Sequence, residues 1–177
     1  LALLRAYRHD DANQRTAITH EDGRRWAYGY DALGQVASAE LRLPDDTTRL
    51  PGHAFGYTFD QIGNRTATVT QGRPAPYAPD ALNRYGTRAV PGAADVRGQA
   101  RPEALVTVDG QPTLRTGRDF YRELVLPNTS APAFATITSE ALLAGPPLQS
   151  TTDTRPVFVP QTPESFSHDL DGNLTQD

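Results

Sequence analysis

The chain has 177 residues, no Cys, no Met, and a formal net charge of −4 in which Arg supplies every basic side chain. Missing Cys excludes disulfides, thiolate chemistry and Cys-based zinc sites. The acidic balance, with Arg spread along the chain, offers no basic field for nucleic acid.

Tyr7-Arg8-His9-Asp10-Asp11-Ala12-Asn13-Gln14-Arg15-Thr16 is the first copy of a pattern: aromatic, spacer, aromatic-sized residue, Asp, then Asn or Gly three residues on. Residues i and i+2 share one face of a strand. Asp and Gly fit the first and fourth positions of a type I turn, with the Gly slot left-handed. Asn substitutes there because it also tolerates positive φ. Residues 14 to 31 read as a hairpin about Asp22-Gly23, a two-residue type I′ signal. Trp26, Tyr28 and Tyr30 then share a face, and Tyr28-Gly29-Tyr30-Asp31-Ala32-Leu33-Gly34-Gln35 repeats the pattern. A strand over 35 to 43 follows. Tyr57-Thr58-Phe59-Asp60-Gln61-Ile62-Gly63-Asn64-Arg65-Thr66 is the best copy, with Thr66, Thr68 and Thr70 alternating against Ala67 and Val69. Tyr77 to Arg84 reads as a degenerate copy, and Pro74, Pro76 and Pro79 are expected to stop strand pairing.

The pattern returns at Phe166-Ser167-His168-Asp169-Leu170-Asp171-Gly172-Asn173. Between the copies the sequence has strands of its own: Leu105 to Val108 before an Asp109-Gly110 turn, Phe120 to Leu126, Ala135 to Ser139, and a short Val157 to Val159. Ser139 to Leu143 is the one place for a helical turn, so helix is expected in under about a tenth of the chain, against an average near a third. Short strands with turns at this spacing predict a small β-sandwich with a core of Val106, Val108, Leu124, Leu126 and Ile137. Pro146-Pro147, Pro160 and Pro163 read as its exit linker. The expected organisation is repeats over 1–86, an inserted β-sandwich-like domain over 87–163, and a resumed repeat over 164–177. The fold class is mainly β, with antiparallel hairpins. The absent initial Met, and a last residue inside a repeat, lead to the expectation that this is a piece of a longer chain.

Tyr-x-Tyr-Asp-x-x-Gly-Gln at 28–35 and Tyr-x-Phe-Asp-x-x-Gly-Asn-Arg-Thr at 57–66 resemble the YD repeat of the rearrangement-hotspot, or RHS, family. The resemblance covers residues 7 to about 85 and 166 to 177. It implies that Tyr7, Asp10, Asn13, Tyr28, Tyr30, Asp31, Gly34, Tyr57, Phe59, Asp60, Gly63, Phe166, Asp169 and Gly172 are structural repeat positions. It also implies part of an RHS-type β-shell that encloses a cargo such as a C-terminal toxin, made by a secreted or cell-surface bacterial protein. The partners would be the rest of the parent chain and that cargo. The family's aspartyl self-cleavage motif is not carried over, because the chain contains no Asp-Pro pair.

The residues suggest no chemistry to set beside this. No Gly-x-Ser-x-Gly, dinucleotide fingerprint, phosphate loop or His-x-x-x-His is present. His9 and His168 fill an aromatic packing slot. Asp169-Leu170-Asp171-Gly172-Asn173 lacks the sixth-position Gly and twelfth-position Glu of a calcium loop. An Asp that recurs because each hairpin needs its turn is a poor general acid or base. The expectation is therefore no catalytic residue, no metal, no cofactor, no nucleic acid and no membrane span. Arg15 and Arg65 are expected to pair with carboxylates of neighbouring repeats. The alternative function is adhesion or carbohydrate binding through surface glycans, with Phe120, Tyr121 or Phe134 of the inserted domain as a platform.

Overall fold

The computed structural model describes residues 5–176, and they are all β: no helix occurs among them. The chain divides between Tyr85 and Gly86 into two compact units.

In the first unit, β1 (Ala6–His9), β2 (Arg15–Thr19), β3 (Arg25–Tyr30), β4 (Val36–Arg42), β5 (Arg49–Phe59), β6 (Arg65–Thr70) and β7 (Arg73–Pro79) form an antiparallel meander, each strand paired with the next. Period-2 alternation sorts the side chains. Tyr7, Ile18, Trp26 and Leu41 are cross-strand partners in one row, and Tyr28, Ala39, Phe55 and Thr70 are partners in another on the same face. Trp26 stacks on Phe55 at 6.0 Å and meets the His53 ring edge-on at 6.1 Å. The opposite face carries the row Ala17, Ala27, Glu40 and Ala54.

Two expectations fail here for physical reasons. The proline-rich segment is a paired strand, β7. Gln71 (φ 52°) and Gly72 (φ 80°) make a two-residue turn with positive φ at both positions, so Thr70 and Arg73 close it as a hydrogen-bonded pair. Val69–Pro74 and Ala67–Pro76 are then the alternating pairs without ladder bonds. Their proline nitrogens face away from β6, so no bond of that ladder is lost. The Asp22-Gly23 turn is likewise not type I′. Only Gly23 has positive φ; Gly23 N donates to His20 O at 3.0 Å and His20 N to Arg24 O at 2.8 Å. That is a type I turn followed by a left-handed Gly.

The second unit holds β8 (Tyr85–Arg88, most of it past the division), β9 (Ala93–Gln99), β10 (Leu105–Val108), β11 (Gln111–Pro112), β12 (Leu114–Thr116), β13 (Asp119–Val125), β14 (Ala133–Leu143), β15 (Gln149–Val159), β16 (Glu164–Ser165), β17 (Ser167–His168) and β18 (Leu174–Gln176). One sheet has the order β11-β10-β14-β15 and another β12-β13-β9, while β8 pairs with β16 and β17 with β18. Val108 is fully buried, and Val106, Ile137 and Val159 are nearly so. Leu124 and Leu126 are only half-buried.

Ser139 to Leu143 is strand, not a helical turn, because it continues β14. Val157 to Val159 is not a separate short strand but the end of β15, which matches β14 residue for residue over eleven pairs. Pro146 and Pro147 lie in the bend between those two strands rather than in a linker. Buried Asn128, within a glycosylation-like Asn-x-Ser, donates to Val90 O at 3.0 Å and Pro160 O at 2.6 Å, and its own carbonyl accepts from Thr162 N. Its amide protons are committed to joining three segments.

Candidate functional site

The recurring residues build one turn several times. Asp10, Asp31, Asp60, Asp80 and Asp169 each donate their backbone N–H to the carbonyl four residues on, at 2.8–3.0 Å. The amide three residues on donates back to each Asp carbonyl, at 3.0–3.2 Å. Each Asp Oδ1 accepts from the backbone N–H four residues on: Gln14 at 2.8 Å, Gln35 at 2.9 Å, Asn64 at 2.8 Å, Arg84 at 3.0 Å and Asn173 at 2.8 Å. Residue three is left-handed every time: Asn13 (61°), Gly34 (80°), Gly63 (92°), Asn83 (62°) and Gly172 (85°). The strand leaving the turn carries a bulge, with Thr16, Ala37, Thr66 and Thr175 as the extra residue opposite the step into His9, Tyr30, Phe59 and His168. A short acceptor that satisfies turn amides, followed by a residue free to take positive φ, closes a hairpin with little chain.

At Asp60, Asp80 and Asp169 these donors favour the ionised carboxylate. The Asn64 side-chain amide, 2.9 Å from Oδ2, leads in drawing Asp60 below the usual carboxylate range. The Asn173 amide does the same for Asp169. For Asp80 the Arg84 backbone N–H comes first and its guanidinium second. Outside the repeat, the Thr48 hydroxyl at 2.6 Å and two backbone amides bring Asp45, in the β4–β5 loop, down to about 2.

In the first unit the turns also touch one another. Asn64 Nδ2 donates to Asn83 Oδ1 of the next turn at 2.9 Å. Gln35 Nε2 lies 3.2 Å from where a Cβ on Gly63 would stand, and Gln14 Nε2 lies 2.9 Å from the same point on Gly34. The residue four after each Asp therefore leans over the left-handed residue of the following turn. This amide ladder was missed in the sequence. Its signal was the Gln or Asn that recurs at that place.

The aromatic positions add a second layer. The Arg15 guanidinium lies 4.7 Å over the Tyr7 ring, and Arg65 lies 5.1 Å over Tyr57 and 6.0 Å from Phe59. Both arginines thus sit on their own repeat's rings, not on neighbouring carboxylates, because the fifth residue after Asp returns beside the aromatic three before it. Tyr30 OH donates to Arg15 O at 2.7 Å, Arg65 N donates to Tyr85 OH at 2.9 Å, and the Tyr77 and Tyr85 rings lie 5.0 Å apart. Burial, the largest influence, raises the Tyr28 phenol. In the second unit, Phe166 N donates to Gly86 O at 2.9 Å. Tyr121, expected on an exposed platform, is buried with its OH donating to Asp95 at 2.8 Å. Phe134 is 79% exposed and sits 4.8 Å from Phe158. Among the described residues no group of His, Cys, Asp and Glu could hold a metal ion, and no helix is long and apolar enough to cross a membrane.

No curated protein matches the chain. A TcdB2–TccC3–Cdc42 crystal structure is similar at 11% identity and a TM-score of 0.42, over 96% of this chain and 10% of that one. A Tc holotoxin pore of Photorhabdus luminescens, with a TccC3 variant, is similar at 13% identity and 0.44, over 93% of this chain and 7% of that one. The chain therefore spans a tenth or less of either. The family model described as RHS Repeat matches residues 9–48, which hold the first two Asp turns and the strands between them. Over residues 9–48 the chain is thus similar to the RHS repeat.

Proposed function

We propose that the chain is a structural wall segment of an RHS-type shell, with no catalytic role, and that the parent protein encloses a cargo such as a C-terminal toxin. The observation that carries the structural reading is the amide ladder. Each turn both closes its own hairpin and seats the next, which is what a sheet extended by repetition needs. The cargo, the parent chain as partner and a secreted location come from the family resemblance. We further propose that residues 87–163 are an insertion and that the repeat resumes over 164–177. The division of the chain after Tyr85 and the Asp169 turn, with the same bonds as the others, support this. Limited proteolysis of the full parent chain tests the enclosure: a segment outside the repeats that stays protected until the wall is cut supports it, and digestion of that segment at the same rate as an unfolded chain refutes it.

The exposed Phe134–Phe158 pair favours a second reading, adhesion to surface glycans, since paired rings on a sheet face can stack against sugar rings. Glycan-array binding that disappears in Phe134→Ala would support it.

A further inference from the structure

Successive Asp-turn hairpins of the first unit join in one register. The residue seven after one Asp pairs with the residue four before the next: Ala17 with Ala27, Ser38 with Gly56, and Ala67 with Pro76. Ala6 holds the position four before Asp10, but β1 ends its sheet, and no strand of the described residues pairs with its outer side. Asp10 N donates to Gln14 O, so Asp10 turns its backbone toward β2. Alternation then turns the backbone groups of His9 and Tyr7 outward. Tyr28, Tyr57 and Tyr77, each three residues before its Asp and each with a hairpin before it, are half-buried. Tyr7, at the same place in the first hairpin, is 48% exposed.

The amides between turns are matched in size. Gln14 reaches over Gly34 and Gln35 over Gly63, where no side chain stands in the way. Where the left-handed residue is Asn83, the amide before it is the shorter Asn64, and the two bond, Nδ2 to Oδ1, at 2.9 Å. A Gln in place of Asn64 would bring one more methylene toward a position that Asn83 already fills. Asn13 is the first left-handed residue of the series. It is exposed, and its side chain bonds to nothing among the described residues.

We propose that the β1 edge docks one further hairpin of the parent protein, and that Asn13 selects a hairpin whose residue four after the Asp is Asn and not Gln. That Asn would donate to Asn13 Oδ1 as Asn64 does to Asn83 Oδ1. Its strand would bond to the outward groups of Tyr7 and His9, set a small residue opposite Ala6 and cover Tyr7. The proposal rests on the wall reading and adds a rule of neighbour choice: Gln before Gly, Asn before Asn. An open edge is a template for any strand. A misfit at the turn discriminates among hairpins that the backbone alone would accept equally.

The test is fluorescence anisotropy with the whole 177-residue chain. The probe is a fluorescein-labelled peptide of residues 55–70, linked end to end where Phe55 and Thr70 pair. It carries Asn64, and a second probe carries Asn64→Gln. The chain should bind the Asn probe about fivefold more tightly, the worth of one hydrogen bond. Asn13→Gly keeps the left-handed turn, because Gly takes positive φ freely, and it should invert the preference. Hydrogen exchange at the Tyr7 and His9 amides should slow on binding. Binding of both probes without preference, or a preference that Asn13→Gly leaves as it was, would overturn the size rule while the wall reading stands. Binding of neither probe, or protection that spares Tyr7 and His9, would overturn β1 as a docking edge. Oligomers of the chain alone that Asn173→Gln dissociates would also overturn the proposal, because the edge would then hold the last hairpin of a second copy.

Discussion

The first unit and the second are both antiparallel β, yet they are held differently. Most hairpins of the first are closed by an Asp in the turn, and successive Asp turns are aligned by amides; the buried apolar groups among its described residues, Ala17, Leu41, Leu50 and Ala75, are few and two of them are alanines. The second gathers Val106, Val108, Ile137 and Val159 from strands far apart in sequence. Local chemistry repeated many times can therefore stand in for a deep core, since each hairpin brings its own closure and its neighbour's guide.

The largest effect should separate the units outright. Ile137→Ala leaves a cavity beside Val106 and Val108 and should cost about 2–5 kcal/mol. Hydrogen exchange should accelerate across β10, β14 and β15 while β1 to β7 keep their protection. Acceleration of equal size in both sets would mean the units unfold together.

Gly34→Ala should come next, at about 1–3 kcal/mol, because φ is +80° and the new Cβ meets the Gln14 amide. Gly72→Ala has the same φ with nothing within 4 Å, so it isolates backbone strain and should cost less. Adding Gln14→Ala to Gly34→Ala should recover the difference. A double mutant as unstable as Gly34→Ala alone would remove the ladder as an explanation.

Acid should act on the repeat turns. The folded values for Asp60, Asp80 and Asp169 are lowered, so these groups contribute stability above the unfolded pKa near 3.9 and lose it as pH falls through the folded values. Asp45, at about 2, should be the last to let go. A melting midpoint that stays flat from pH 5 to about pH 2 would contradict this. Asp60→Ala should remove its share at neutral pH and flatten the acid response of β5 and β6.

The smallest expected effect is Arg65→Ala, about 0.5–1 kcal/mol from the ring contacts. Arg65→Lys should recover part of it, and chemical denaturation can resolve the two. Equal stability of wild type and Arg65→Ala would leave the contact without energetic weight.

The sequence by itself determined the Asp turns of the repeat, though not the type of the Asp22-Gly23 turn. Asp followed three residues later by Gly or Asn is a local instruction, and the left-handed φ at positions 13, 34, 63, 83 and 172 needs no distant partner. Strand alternation at Thr66 to Thr70 and the turns at Gln71-Gly72 and Asp109-Gly110 are equally local. Tertiary structure decided what depends on which side a backbone group faces. Pro74 and Pro76 looked like an end to pairing and became part of a strand, because pairing parity sets their nitrogens away from β6. Leu124 and Leu126 are as apolar as Val106 and Val108 but stay half-buried, since burial depends on what packs opposite. The ladder from Gln14, Gln35 and Asn64 exists only once successive hairpins lie side by side, a spacing fixed by the sheet and not by any single repeat.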